Sequence, residues 1–253
     1  MLLVTGEDPV LTEQVCDGLS QRSIAHSRVD AAHATAERGN LFQAALDARA
    51  SGIVVIEPVA WRGATPQPSP SPSAALIAAA LSATRAPGVT SLTLVTSRRD
   101  DDEGIRRVRR DGAPYIVLRP APLFRVLPLG AERALRDRRV LIPPEVAESF
   151  KDAIPVEALL EAIASAVAGD TPQGKIIDIA ASPDRSVLEV LARAGARPEL
   201  TGGLRSRIGR WFGHPIAMVD GADLRIDGVP DEAVREAPRR AAAEAEALAA
   251  VGS

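Results

Sequence analysis

The chain has 253 residues, 46% hydrophobic and 25% charged, with a formal net charge of -3. That length and apolar content suit one large domain, or one domain with an appended lobe, and exclude a disordered chain, a collagen and a disulfide-stapled mini-protein. Thirty basic side chains against 33 acidic ones leave no positive excess for a duplex-binding surface, so no nucleic-acid partner is expected. The single cysteine, Cys16, permits no internal disulfide. Three histidines (His26, His33, His214) with no second cysteine give no metal-ligand spacing, so no metal is expected. The N-terminus lacks the basic and long apolar regions of a signal peptide, and no stretch reaches the roughly 18 apolar residues of a membrane span. The expectation is a cytoplasmic protein with no membrane partner.

Hydrophobic runs and helical patterns alternate over the first two-thirds, which predicts βαβ units and a parallel sheet. Leu2 to Thr5 reads as a strand ending at Gly6, and Leu11 to Gln21 as a helix with Leu11, Val15, Cys16 and Leu19 at helical spacing. Ile24 to Val29 is a second strand ending at Asp30. Leu41 to Ala50 is helical, and Gly52 leads into the β-branched strand Ile53 to Ile56. Residues 65–73 carry proline at every second position, which forbids helix and central strand and predicts an exposed loop. Ser73 is placed to cap a helix from Ala74 to Arg85, and a strand follows at Leu92 to Val95. The charged segment from Arg98 to Asp111 has Ile105 and Val108 as its only large apolar residues. Tyr115 to Leu118 is a strand stopped by Arg119-Pro120. Leu123 to Val146 reads as irregular, Val156 to Ala168 as an amphipathic helix and Lys175 to Ile179 as a strand. A helix from Ser186 to Ala194, a Gly- and Arg-rich connection through Trp211-Phe212 and a helix from about Asp231 complete the chain. No fixed-period repeat is present.

Six segments carry a family resemblance. They are Leu3-Val4-Thr5-Gly6, Asp30 closing the second strand, Gly39-Asn40-Leu41, Ser91 to Ser97, Gly112-Ala113-Pro114-Tyr115-Ile116-Val117-Leu118-Arg119-Pro120, and Ile154 to Ala158 with Gly174 to Ile179. In this order they resemble the extended and atypical short-chain dehydrogenase/reductases, the family of NAD-dependent epimerase/dehydratases and NmrA-like proteins. The resemblance covers roughly residues 1–181. It implies a Rossmann-like, doubly wound α/β sheet over residues 1–181, with 122–150 contributing to a small C-terminal lobe formed mainly by 182–253. It places vestigial cofactor contacts at Gly6, Val10, Leu11, Asp30, Asn40 and Leu41, and a serine remnant at Ser97.

The departures from that family bear on function. Dinucleotide binding there needs three glycines spaced G-x-x-G-x-x-G, for a tight turn and close backbone approach to the diphosphate. The register here is Gly6-Glu7-Asp8-Pro9-Val10-Leu11-Thr12, which keeps only the first and sets two carboxylates beside the site. The family's oxidoreductases pair a tyrosine with a lysine four residues later, cation beside phenol on one helix face. Arginine outnumbers lysine 28 to 2, the one tyrosine is Tyr115, and Arg119 stands at the lysine's spacing. The pair is therefore absent from the whole chain.

The expectation is a degenerate member without hydride-transfer chemistry, binding no NAD(P) in the family's manner. It would act as a ligand-binding, regulatory or interaction module with an unknown small molecule or protein as partner. The alternatives are an NAD(P)-dependent oxidoreductase or sugar-nucleotide epimerase/dehydratase with an altered cofactor loop, and a cofactor-free isomerase, lyase or cyclase using the same cleft. Glu57, at the carboxyl end of its strand, is the candidate general base, set against the plainer reading of a solvated strand-end carboxylate. Asp30 reads first as a turn former, and Ser97, with no tyrosine to polarise, as a strand-end turn. Arg119, Arg210 and Trp211 are the candidate substrate residues, with Arg205 and Arg207 beside the last two. The arginines between Arg98 and Arg110 are interleaved with Asp100 to Glu103 and Asp111, which predicts an exposed, salt-bridged helix face. A family-type homodimer through this segment and the Ala74 to Arg85 helix is disfavoured by its charge, so a hetero-partner of complementary charge suits it better.

Overall fold

The computed structural model describes residues 1–35, 40–61, 73–97, 103–127, 138–180, 187–193, 196–200, 216–220 and 223–227. Among these the chain runs β1 (Leu2–Gly6), α1 (Pro9–Gln21), β2 (His26–Arg28), α2 (Ala31–Ala34), α3 (Asn40–Asp47), β3 (Gly52–Ile56), α4 (Ser73–Ala83), β4 (Ser91–Val95), α5 (Glu103–Asp111) and β5 (Tyr115–Pro120). It continues with β6 (Leu123–Leu127), β7 (Arg139–Ile142), α6 (Pro144–Ser149), β8 (Ile154–Pro155), α7 (Val156–Ala168), β9 (Lys175–Ile179), α8 (Val187–Arg193), β10 (Arg197–Leu200), β11 (Ile216–Asp220) and β12 (Asp223–Asp227). The chain divides into two units, Met1–Leu123 with Val156–Ala180, and Phe124–Pro155 with the chain from Ala181 onward.

The first unit is a Rossmann-like α/β domain. Its sheet has the order β2-β1-β3-β4-β5-β9, and every pairing is parallel. An all-parallel sheet needs cover on both faces, and its strands then read as unbroken apolar runs. β3 is the plainest case, with Gly52, Ile53, Val54, Val55 and Ile56 all buried. Side chains alternate across the sheet. On one face Leu3, Ile53, Val55, Leu92, Leu94 and Val117 pack in a single cluster with Leu41 and Ala45 of α3, Leu76, Ile77 and Ala80 of α4, and Ile105 and Val108 of α5. Each large aliphatic side chain buried there contributes about 1.5–3 kcal/mol. Elsewhere α1 packs closely on α7: a Cβ on Gly18 would stand 2.9 Å from Leu160 Cδ1.

α5 explains its own sequence. Ile105 and Val108, three apart, face the core together with Gly104, while Arg106, Arg107, Arg109 and Arg110 are exposed. Arg106 pairs with Glu103 at 3.0 Å and Arg85 with Asp111 at 3.0 Å, so both acidic residues of α5 are ion-paired; the expected partners Asp100 to Asp102 lie outside the described residues.

The second unit holds a mixed sheet of order β10-β7-β11-β12-β6-β8. β11 and β12 form its antiparallel pair, with Asp220 opposite Asp223; β7 lies parallel to β10 and β11, and β12 parallel to β6. Its core joins Val140, Ile142, Val187, Leu191, Ala217 and Leu224 to Phe124 and Phe150, whose ring centroids are 4.6 Å apart.

Two expectations about the segment between Tyr115 and Val146 change. Leu123 to Val146 is not irregular throughout: it contains β6 and β7 and leads into α6, short elements whose partners lie far along the chain. The strand at Tyr115 is not stopped by Arg119-Pro120, which pair in register with Asp178 and Ile179. A proline in a strand's last place forfeits one N–H, and the ladder resumes where the Ala121 N–H donates to the Ile179 carbonyl at 2.9 Å. Most of the proline-rich loop, Arg98 to Asp102, and the C-terminal segments carrying Arg210 and Trp211 lie outside the described residues.

Candidate functional site

Because all strands of the first sheet run one way, their carboxyl ends line one edge. β1 ends at Gly6, β3 leads to Glu57, β4 to Thr96 and Ser97, and β5 and β9 end at Arg119-Pro120 and Asp178-Ile179. Ligands of open α/β sheets gather at this edge, where the strand order reverses. Here the reversal falls between β1 and β3.

At that point Gly6 lies against β3. A Cβ on Gly6 would stand 2.4 Å from Thr12 Oγ1 and 2.8 Å from the Ile56 carbonyl oxygen, distances no side chain tolerates. The Glu7 N–H donates to that same carbonyl at 3.0 Å. Thr12 is buried and its hydroxyl donates to the Asp8 carbonyl at 2.6 Å.

Asp8 caps α1. Its backbone is extended and Pro9 opens the helix, where a missing N–H costs nothing. Asp8 Oδ1 accepts from the Leu11 N–H at 2.9 Å, and Oδ2 accepts from Trp61 Nε1 at 3.2 Å. Trp61 is itself fixed by a parallel bridge to Leu123, whose N–H donates to the Ala60 carbonyl at 2.8 Å.

A diphosphate held by a glycine-rich turn requires donors at the first turn of the helix and open space above the first glycine. Here the Leu11 donor is taken by an internal carboxylate, Pro9 has no N–H, and Thr12 fills the space over Gly6. A dinucleotide does not fit these residues in that manner.

The other residues expected to contact cofactor are placed as follows. Val10 is 47% exposed on the first turn of α1, whereas Leu11 and Leu41 are core side chains. Asp30 caps α2, with Oδ1 accepting from the Ala32 N–H at 2.9 Å and more weakly from His33 at 3.4 Å. Asn40 is the first residue of α3.

Tyr115 is the first residue of β5 and Lys175 the first of β9, which puts both at the amino edge, opposite the site. Lys151, in the second unit, pairs with Glu148. Among the described residues of the first unit, neither tyrosine nor lysine lies at the carboxyl edge.

Glu57 is not the solvated carboxylate of the plainer sequence reading. It is 1% exposed, because the ladder continues one residue past β3: the Glu57 N–H donates to the Val95 carbonyl at 2.9 Å and the Thr96 N–H to the Leu118 carbonyl at 3.0 Å. Thr96, fully buried, donates through Oγ1 to Glu57 Oε2 at 2.5 Å. A buried carboxyl group demands such a partner, since an unmatched one is costly to desolvate.

The residue after Thr96, Ser97, lines an open cleft of about 420 Å³ together with Arg119, Pro120, Ala121, Asp178, Ile179 and Ala180. Ser97 is exposed, and its hydroxyl donates to the Pro58 carbonyl at 3.4 Å. Arg119 and Asp178 are register neighbours on adjacent strands. The guanidinium meets the carboxylate with both teeth of its fork, Nε to Oδ1 at 2.8 Å and a terminal nitrogen to Oδ2 at 2.9 Å. The side chains differ in exposure, 21% for Arg119 and 67% for Asp178.

The structure thus joins Ser97 and Arg119 in one cleft and sets Gly6 against β3. The sequence reading set Asp8 beside the site as a bare charge and missed its capping role, and it missed Trp61, Thr96 and Asp178 as site residues. An aspartate followed by proline is a cap signal that identifies Asp8; Trp61 carries no local signal at all.

No protein-family model matches the chain, and no curated protein matches it. Among solved structures it is similar to Gre2 from Candida albicans (9% identity, 92% of this chain and 93% of that chain covered, TM-score 0.49). It is also similar to the NADPH-dependent quinone oxidoreductase QOR2 from Escherichia coli, complexed with NADPH (14% identity, 94% and 89% covered, TM-score 0.45). A third is the Citrobacter sp. triphenylmethane reductase complexed with NADP(H) (12% identity, 83% and 82% covered, TM-score 0.44).

Proposed function

We propose that this protein is a Rossmann-like module without hydride-transfer chemistry, a degenerate relative of the short-chain dehydrogenase/reductases that acts by binding a small molecule or a protein partner in the cytoplasm. The observation that carries this reading is the Asp8 carboxylate at the N-terminus of α1, accepting from the Leu11 N–H and from Trp61 Nε1. It supplies, from within the chain, the negative charge that the diphosphate of a bound dinucleotide would otherwise bring to the helix. Calorimetric titration of the full chain with NAD(H) and NADP(H), together with mass spectrometry of any copurified nucleotide, tests it. No micromolar binding is expected; micromolar binding with turnover of a carbonyl substrate overturns it.

A second reading has its own observation. Glu57 is a buried carboxyl group bonded to Thr96, the residue before Ser97 of the open cleft, and a carboxyl group at the carboxyl edge of such a sheet is a candidate general acid or base. On this reading the protein is an enzyme, either NAD(P)-dependent with an altered cofactor loop or cofactor-free. It requires a turnover that Glu57→Gln abolishes while the circular dichroism spectrum is retained.

The exposed arginines of α5 (Arg106, Arg107, Arg109, Arg110) make a second copy of the chain a poorer partner for this face than a protein of opposite charge.

A further inference from the structure

We infer that the cleft at the ends of β4, β5 and β9 takes a small monocarboxylate with a short apolar body, and that Asp178 holds the ligand's place on Arg119 when no ligand is bound. The inference rests on the reading of this edge as a ligand site and names the ligand's chemical class.

Three features support it. The Arg119 fork is presented edge-on, with Nε and a terminal nitrogen both engaged by one carboxylate, which is the geometry a planar ligand carboxylate would reproduce. The two partners differ in what they lose by parting. Asp178 is 67% exposed and returns to water on rotating away, whereas Arg119 is 21% exposed and recovers little hydration. A replacement anion is therefore favoured at Arg119 and not resisted strongly by Asp178.

The lining supplies the rest of the specificity. Pro120, Ala121, Ile179 and Ala180 give an apolar wall and Ser97 a hydroxyl at the rim. About 420 Å³ lies at the small end of ligand pockets. Asp178 remains close after displacement, so a dianionic phosphate is repelled more than a singly charged carboxylate. An apolar body of a few carbons gains by leaving water against the wall.

The test uses the full chain, with sodium benzoate as probe and benzamide as its neutral counterpart, followed by ligand-observed NMR and calorimetry at constant ionic strength. Benzoate is expected to bind saturably with a Kd of roughly millimolar or tighter, and benzamide not to bind. Asp178→Asn, which removes the competing charge from a solvent-facing side chain, is expected to tighten benzoate binding about threefold or more, and Arg119→Gln to weaken it about tenfold. Failure of benzoate to saturate both the natural chain and Asp178→Asn overturns the inference. So does benzoate affinity unchanged by both substitutions, or tighter binding of inorganic phosphate than of benzoate. Asp178→Asn keeps the test decisive if Arg119→Gln fails to fold. The dinucleotide titration is separate: a positive result there overturns the non-catalytic reading without deciding the carboxylate site, and a negative benzoate result leaves that reading standing.

Discussion

Asp8 and Trp61, 53 residues apart in the chain, are joined by a hydrogen bond of 3.2 Å from the indole Nε1 to the carboxylate. The same carboxylate caps α1 through the Leu11 N–H, so one side chain ties the turn after β1 to the segment after β3, across the point where the strand order reverses. Asp8→Ala removes both bonds, and loss of a helix cap costs about 0.5–2 kcal/mol. The thermal midpoint of the helical circular dichroism signal should fall. Asp8→Asn, which retains a capping oxygen, should fall less, and Trp61→Phe should cost about 0.5–1.5 kcal/mol. A double-mutant cycle of Asp8→Ala with Trp61→Phe should be non-additive; strict additivity would mean the indole bond contributes nothing.

Gly6→Ala tests the close approach of β1 to β3. The new Cβ would lie 2.8 Å from backbone oxygen of Ile56 and 2.4 Å from Thr12 Oγ1, and the backbone oxygen cannot swing aside. Overpacking of this kind costs about 1–3 kcal/mol. Combining it with Thr12→Gly should recover part of the loss, and the denaturation midpoint reads both steps.

Thr96→Val keeps the shape of a buried side chain and deletes the donor to Glu57. Leaving a buried carboxyl oxygen short of that donor costs about 1–3 kcal/mol. Glu57→Gln in the same background should lessen the penalty if the Oγ1 bond is what stabilises the pair. Urea denaturation of the single and double variants supplies the comparison.

Cys16 offers a pH test. Burial, reinforced by Asp17 and Glu13 and opposed by Arg28, pushes its thiol above the ordinary cysteine range. The thiolate is the nucleophile, so iodoacetamide should label Cys16 more slowly at pH 8 than it labels a free thiol, with the rate climbing only at higher pH. The sign for stability follows from linkage. The folded state holds this proton more tightly than the unfolded chain, whose cysteine titrates near pH 8.5, so the contribution is intact below that pH and is lost as pH rises toward and through the folded value. Labelling as fast as that of a free thiol would contradict the burial.

The first sheet was legible because a strand buried on both faces is an uninterrupted Val, Ile and Leu run, as in Ile53 to Ile56, and because α7 and β9 sit where the apolar periodicity puts them. β2 shrank from Ile24 to Val29 to His26–Arg28, Ser23 lying in the left-handed region at φ 56 just before it. The second sheet was harder to read. β7 is short, proline-flanked, and pairs with β10 and β11, so nothing near it in the chain announces its partners. The β11–β12 pair did leave a trace, since Gly221-Ala222 between the apolar run Ile216 to Val219 and the alternating run Asp223 to Asp227 is a hairpin signal. At the site, Glu57, Ser97 and Arg119 could be found by asking which residues close a strand. The burial of Glu57 could not, because it depends on Thr96 from the next strand, and the Trp61 contact has no spacing rule behind it.

The parallel sheet closes with a strand that is made late. β9 pairs with β5, yet the chain leaves the first unit after Leu123 and returns only at Val156. During synthesis β5, buried and apolar in the finished sheet, therefore waits in the edge position that the more exposed β9 takes later, and it stays available to other chains until β9 has left the ribosome. Arg119 passes through the same interval with no Asp178 beside it. A nascent chain stalled before Lys175 should accordingly be protease-sensitive and prone to association, and release of β9 should end both.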